Sequence, residues 1–123
     1  PVELYSIQAP YTILIFYSPL CSHCMDVMPQ IYQVFLDYKS KGLAAVAMNT
    51  DQESKYWKKF VGQQHWDWYD VADPEKMEQL ELQYAAFNLP VIFILDKNKR
   101  ILAKKVLASE LAGILEKYFG QKR

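Results

Sequence analysis

The sequence has no excess of positive or negative charge, and this balance argues against partners that are bound mainly through their charge. Its 123 residues include 14 Lys plus Arg and 14 Asp plus Glu, so the formal net charge is zero. Proteins that bind nucleic acid or anionic membranes by electrostatic attraction need clusters of positive charge. We therefore expect neither nucleic acid nor an anionic membrane surface as a partner.

Long apolar runs, internal repeats and Pro/Gly/Ser-rich linkers are also absent. No apolar stretch approaches the roughly 20 residues that a helix needs to cross a bilayer, so we expect no membrane span in this chain. Hydrophobic residues nevertheless make up 51% of the chain and aromatic residues 15%, which argues against disorder. We predict a single domain over residues 1–123. The sequence begins at Pro1 without a basic and apolar leader, so a signal peptide, if the gene encodes one, is not included in it. We expect the domain to belong to a longer chain that is secreted or tethered to a membrane.

Cysteine is scarce, and both cysteines lie in one short segment. Cys21 and Cys24 occur in the stretch FYSPLCSHCMDVMP, residues 16–29. A disulfide that closes so small a loop contributes little stability, because its effect grows with the length of the loop. The C-x-x-C spacing is instead typical of redox-active pairs, in which a thiolate attacks a disulfide of another molecule. We therefore interpret the pair as a redox site.

Apolar periodicity predicts a strand, a helix and a second strand in the first half. Residues 12–17 and 43–48 are β-rich apolar runs, typical of strands buried on both faces. Between them, a helix is predicted from the cysteines to about residue 40, with Pro29 as a kink and Gly42 at its end. Because apolar residues lie on two of its faces, we expect this helix to be largely covered. This spacing predicts a βαβ unit with parallel strands.

The second half predicts three more helices and a hairpin. Helices are expected at residues 50–63 and 73–87, and a last helix is capped by Ser109 and stopped by Gly120. A short strand or extended connection is expected at residues 66–71.

The hairpin joins residues 90–95 to residues 100–106 through a short polar turn. Asn98 in that turn tolerates a left-handed backbone. The lysines of the second strand mark it as an edge strand.

This order of elements, with C-x-x-C at the first strand-to-helix junction and Pro90 opening the third main strand, resembles the thioredoxin fold. Within it, the chain is similar to the extracytoplasmic bacterial thiol-disulfide oxidoreductases of the TlpA/ResA type. The segments FYSPLCSHC and YAAFNLPVIFILDKNKRI, Pro29, and a helical insertion after LAAVAMNTD carry the resemblance. It implies an α/β fold with three α/β/α layers around a central mixed four- to five-stranded sheet.

The resemblance also implies roles for individual residues. Cys21 would be the attacking thiol and Cys24 the resolving thiol. The Leu89–Pro90 bond would be cis and would face the disulfide. The residues expected to bind substrate are Leu89, Pro90, Tyr17 and Pro19.

The two residues between the cysteines are expected to tune the redox pair. At a helix N-terminus, unpaired backbone N–H groups lower the pKa of the Cys21 thiol. His23 can donate a hydrogen bond or a positive charge to the Cys21 thiolate, and stabilising the reduced form makes the pair a better oxidant. We group Ser22 with His23 in this role.

Two positions depart from the family pattern. Thioredoxin keeps an acid six residues before its first cysteine, where this chain has Ile15. ResA-like proteins place a glutamate three residues after the second cysteine, where this chain has Val27. Asp26 is adjacent but points about 100° away around the helix. The usual proton acceptor for Cys24 is therefore missing or replaced.

The leading hypothesis is an extracytoplasmic thiol-disulfide oxidoreductase that acts on cysteine-containing partner proteins and is recycled by a redox partner. No metal and no organic cofactor is implied, and the net direction of exchange is open. One alternative is a peptide-binding module with vestigial redox activity, which the replaced acids favour. The other is a copper or zinc metallochaperone. It is disfavoured because His23 sits between the two thiols in a tight turn and cannot easily reach the same ion.

We predict that iodoacetamide modifies Cys21 before Cys24 in the reduced protein. Cys21 is expected at the helix N-terminus, whereas Cys24 lies about one turn into the helix, where neighbours cover it. Labelling across pH followed by peptide mass spectrometry gives both rates. Faster modification of Cys24 would reverse the assigned roles.

Overall fold

The computed structural model describes residues 7–17, 22–49, 67–71 and 90–119, which form five strands and two helices. In chain order these elements are β1 (Tyr11–Tyr17), α1 (Ser22–Lys39), β2 (Leu43–Asn49), β3 (Tyr69–Val71), β4 (Val91–Asp96), β5 (Ile101–Val106) and α2 (Ala108–Phe119). The helices predicted at residues 50–63 and 73–87 lie outside the described residues.

The strands form one mixed sheet in the order β3-β2-β1-β4-β5. The predicted parallel pairing of β1 with β2 is confirmed, and β3 adds a short third parallel strand. β4 runs antiparallel to β1 and forms the predicted hairpin with β5, which lies at an edge of the sheet. The expected short strand or connection at residues 66–71 therefore contains a strand.

The central strand β1 is buried on both faces, as its composition predicts. Ile13 and Ile15 belong to one core cluster, and Leu14 and Phe16 belong to the other. Both helices pack on the first face. The side chains that they bury there are Cys24, Met28, Ile31, Phe35 and Tyr38 from α1 and Leu111 and Leu115 from α2.

Helix α1 is covered on one side only, so the prediction that it is largely covered is wrong. About half of residues 23–39 are exposed, because the side of the helix that faces away from the core cluster is open to solvent. A polar contact joins α1 to α2. The Tyr38 hydroxyl donates a hydrogen bond of 2.8 Å to the Glu116 carboxylate of α2. Pro29 lies inside α1 and is exposed. The kink predicted there stays a prediction.

The left-handed residue of the hairpin turn is a lysine rather than the expected asparagine. The carboxylate of Asp96 accepts hydrogen bonds from the backbone N–H groups of Asn98 at 2.8 Å and Arg100 at 2.9 Å. Lys99, not Asn98, has the left-handed backbone, with φ of 66°. Residues 96–99 form a turn that is closed by a hydrogen bond from Lys99 N–H to the Asp96 carbonyl. In hairpins of this kind, the left-handed residue is the one that completes the turn, which here is Lys99.

Helix α2 begins one residue before the expected cap, so the prediction for Ser109 is wrong. Ser109 is the second residue of α2. The Glu110 carboxylate accepts a hydrogen bond of 3.1 Å from Leu107 N–H. Because Glu110 N–H in turn donates to the Leu107 carbonyl at 2.9 Å, Leu107 takes the cap position. Gly120 lies outside the described residues.

Gly42 follows α1, as predicted, and its position requires glycine for two reasons. Its φ is 109°, in the left-handed region that side chains disfavour. A Cβ atom there would also lie 2.8 Å from Cγ and 3.1 Å from Cδ of Pro10.

We expect Gly42→Ala to lower the free energy of unfolding by about 1–3 kcal/mol, because the alanine would be strained and would contact Pro10 too closely. Gly113→Ala is the matched control, since nothing lies within 4 Å of a Cβ added there inside α2. That change should raise the same free energy by about 0.5–1 kcal/mol. Urea denaturation measures both. Stability of Gly42→Ala at or above that of the wild type would contradict the argument.

Candidate functional site

The candidate site lies at one end of β1, where three elements meet. β1 ends at Tyr17, and α1 begins at Ser22. Phe16 pairs with Val91 in antiparallel register, which places Pro90 beside the end of β1. This arrangement matches the predicted one. Ligand crevices of open α/β sheets lie at the carboxyl ends of parallel strands, and this end of β1 is such a position.

Cys24 is the third residue of α1, and its side chain is completely buried. It belongs to the core cluster that also contains Tyr17 and Met28. The prediction that Cys24 is the shielded cysteine of the pair agrees with this burial. A buried thiol is poorly accessible to a bulky disulfide from solvent. The role of Cys24 as the resolving thiol stays a prediction, because Cys21 lies outside the described residues.

The two positions that carry acids in related proteins are apolar, and the structure places both against the core. Ile15 is completely buried in the sheet, and Val27 is half-buried on α1. Asp26 is exposed. Neither of the two family positions therefore offers a carboxylate to the Cys24 thiol.

A cavity of about 370 Å³ adjoins this end of the sheet. The described residues that line it are His23, Val27 and Gln30 of α1, residues 90–92, and residues 105–109. His23 is exposed and Pro90 is half-buried. The cavity thus brings His23, expected to tune the redox pair, together with Pro90, expected to bind substrate.

Residues 105–109 are the part of the site that the sequence did not indicate. They join the end of β5 to the start of α2. They line the cavity because the hairpin brings the end of β5 back to the end of the sheet where Pro90 lies. In the sequence, the only indication that this segment belongs to the site is a lysine near the end of the predicted edge strand.

The other predicted site residues have different outcomes. Cys21, Pro19 and Leu89 lie outside the described residues, so their roles and the cis Leu89–Pro90 bond stay predictions. Ser22 opens α1, and its tuning role is likewise a prediction. Tyr17 is completely buried and is not among the residues that line the described cavity.

Two further observations concern metal ligands and helix length in the part of the chain that the structure describes. No group of three or more His, Cys, Asp and Glu residues is placed there to hold a metal ion. Neither described helix is both long and apolar enough to span a bilayer.

Sequence comparison links the chain to a known family. A profile of the family described as thioredoxin-like matches residues 10–101. A thiol-disulfide oxidoreductase ResA from Bacillus cereus is 27% identical, with 94% of this chain and 68% of that protein covered. A second ResA, from Bacillus thuringiensis subsp. konkukian, is 26% identical, with 95% of this chain and 66% of that protein covered. The chain thus spans about two thirds of the length of these curated relatives.

Solved structures give the same result. A domain of a possible thiol-disulfide isomerase from Cytophaga hutchinsonii is 34% identical, with a TM-score of 0.83 over 94% of this chain and 79% of that one. The thioredoxin domain of a thiol-disulfide oxidoreductase from Bacteroides vulgatus is 24% identical, with a TM-score of 0.86 over 96% and 85% of the two chains. At 24% identity, the similarity to the Bacteroides vulgatus domain supports the fold only. The fold predicted from the order of strands and helices is therefore confirmed.

We predict that His23→Ala lowers the midpoint potential of the Cys21–Cys24 pair by about 30 mV. A hydrogen bond to a charged group contributes about 1.5–3 kcal/mol, and about 1.4 kcal/mol corresponds to 30 mV for a two-electron couple. The lower end applies because His23 is exposed and water replaces part of the lost interaction. Titration against glutathione buffers measures the potential.

Gln33→Ala serves as the control, because Gln33 is exposed on α1 and is not among the cavity residues. An unchanged potential in His23→Ala would mean that the helix N-terminus alone sets the reactivity of Cys21.

Proposed function

Because this chain belongs to the thioredoxin-like family, we propose that it is a thiol-disulfide oxidoreductase that exchanges a disulfide between Cys21 and Cys24 with cysteines of partner proteins. The observation that carries the proposal is the burial of Cys24 in the first turn of α1, where the preceding residue, His23, lines a cavity together with Pro90. The names of the relatives reported above, all thiol-disulfide enzymes, support the same reaction class.

The reaction is a pair of thiol-disulfide exchanges. In the reducing direction, the Cys21 thiolate attacks one sulfur of a substrate disulfide, forms a mixed disulfide and releases the first substrate thiolate. Cys24 then loses its proton and attacks the Cys21 sulfur. This step releases the second substrate thiolate and leaves the Cys21–Cys24 disulfide. Two electrons pass from the pair to the substrate, and the reverse sequence oxidises a dithiol.

In this scheme the two thiols have different tasks. Backbone N–H groups at the start of α1 stabilise the thiolate of Cys21, whereas burial keeps Cys24 from competing for the substrate. Ile15 and Val27 supply no carboxylate, so a group other than a side chain at these two positions accepts the proton of Cys24.

Partner and location follow from the same resemblance. We place the protein outside the cytoplasm, in the periplasm or cell envelope, because the TlpA/ResA-type proteins that it resembles are extracytoplasmic. Its substrates are cysteine-containing proteins, and a second redox protein recycles the pair. No organic cofactor takes part in this scheme.

A second candidate function is peptide binding with slow redox chemistry. The observation that favours it is the apolar pair Ile15 and Val27, which removes the usual proton acceptor of the resolving thiol. Reduction of insulin in the presence of dithiothreitol separates the two functions, because a binding module would give no rate above background.

We expect Cys24→Ser to accumulate a mixed disulfide on Cys21, because the thiol that resolves it is gone. Incubation with an oxidised cysteine peptide followed by mass spectrometry should show one peptide per chain, attached at Cys21. Cys21→Ser is the control and should form little adduct, since Cys24 is buried. No adduct on Cys24→Ser under conditions in which the wild type turns over would refute the mechanism.

A further inference from the structure

The pairing of β4 with β5 contains an irregularity beside the cavity. Ile92 pairs with Val106 and Ile94 with Ala103, so β5 advances three residues where β4 advances two. Lys105, within this bulge, has φ of 50°. A left-handed backbone is unusual for a residue with a long side chain, and bulges of this kind re-aim side chains near functional sites.

The bulge changes which side chains face the cavity. Strict alternation along β5 would place Ala103 and Val106 on opposite faces of the sheet. In the structure, both pack in the core cluster under α1 and α2. The extra residue in β5 turns the side chains of Ala103 and Val106 to the same face of the sheet. Lys105 directly precedes Val106 and lines the cavity.

Among the described residues that line the cavity, Lys105 is the one Lys or Arg, and there is no Asp or Glu. His23 also lines it. Both side chains are exposed, and within the described ranges neither forms an ion pair or a side-chain hydrogen bond. The remaining described wall is mostly apolar, from Val27, Pro90 and Ile92 among others. Such a surface is complementary to a segment that carries one carboxylate among apolar groups.

We propose that Lys105 is a specificity-determining residue, which selects partner polypeptides that carry an Asp or Glu side chain close to the reactive cysteine. The occupant is an extended segment of an oxidised partner protein. Its apolar side chains contact the cavity wall, and its carboxylate pairs with the Lys105 ammonium. This proposal deepens the proposed function and rests on it.

The test compares two synthetic peptides that each contain one internal disulfide. They are identical except for Glu or Gln two residues from a cysteine. The rate of reduction by the protein is measured for each, and the same ratio with dithiothreitol alone corrects for intrinsic reactivity. We expect kcat/KM to favour the Glu peptide roughly two- to fivefold, the range of a partly exposed ion pair. The preference should shrink in about 1 M salt, where charges are screened.

Two substitutions localise the effect. Lys105→Gln should abolish the preference. Lys104→Gln removes the same charge from the neighbouring exposed residue, which is outside the cavity lining, and should retain the preference. A preference that survives Lys105→Gln, or that Lys104→Gln removes equally, overturns the proposal.

Failure of the proposal is distinct from failure of the proposed function. Reduction of both peptides at equal corrected rates overturns the role of Lys105 and leaves the oxidoreductase function standing. Reduction of neither peptide overturns the oxidoreductase function. In that case, both peptides are made with serine in place of each cysteine, and fluorescence anisotropy measures their Kd values. The ratio of the two Kd values then gives the preference for Glu over Gln. Equal affinity or no binding then overturns the role of Lys105 as well.

Discussion

The two-sided pairing of β1 is the constraint on which the rest of the structure depends. β1 is parallel to β2 on one side and antiparallel to β4 on the other, and residues 12–17 are all completely buried. Burying an aliphatic or aromatic side chain contributes about 1.5–3 kcal/mol to the free energy of folding. A slip of one residue would turn every side chain of β1 to the opposite face of the sheet, so the register is strongly determined. The same register places Pro90 beside the end of β1, from which the chain continues to α1 at Ser22. The packing that stabilises the fold therefore also assembles the site.

Helix α1 links the core to the chemistry. Its residue Cys24 belongs both to the buried cluster and to the C-x-x-C motif of the sequence. Farther along the helix, the Tyr32 hydroxyl accepts a hydrogen bond of 3.0 Å from Asp67 N–H, and the Tyr38 hydroxyl donates to Glu116 at 2.8 Å. These contacts hold the helix against both the β3 side of the sheet and α2. Near its start, α1 is anchored by the burial of Cys24 and Met28 in the core cluster that also contains Ile92 of β4.

The hairpin of β4 and β5 uses two left-handed lysines for different purposes. Lys99 follows the turn, is almost fully buried, and donates from its ammonium to the Ile7 carbonyl at 2.6 Å, which holds the segment before β1 against the sheet. Lys105 lies in the bulge at the other end of β5 and lines the cavity. The first lysine therefore serves stability, whereas the second lies where a partner can reach it. Their backbone conformations are alike, but their surroundings determine what each side chain can contact.

Features that depend on local spacing could be predicted from the order of residues alone. Apolar periodicity predicted a strand at residues 12–17 that the structure extends by one residue, and the C-x-x-C pair and the parallel βαβ unit follow from short-range order. The residue that opens α2 could not be predicted in this way, because the Glu110 carboxylate bonds back to Leu107 N–H and moves the cap from Ser109. The bulge at Lys105 and the cavity that it shares with His23 also emerge only in the folded chain. These two residues are far apart in the sequence and meet only when the sheet is complete, so no local pattern encodes their contact with one cavity.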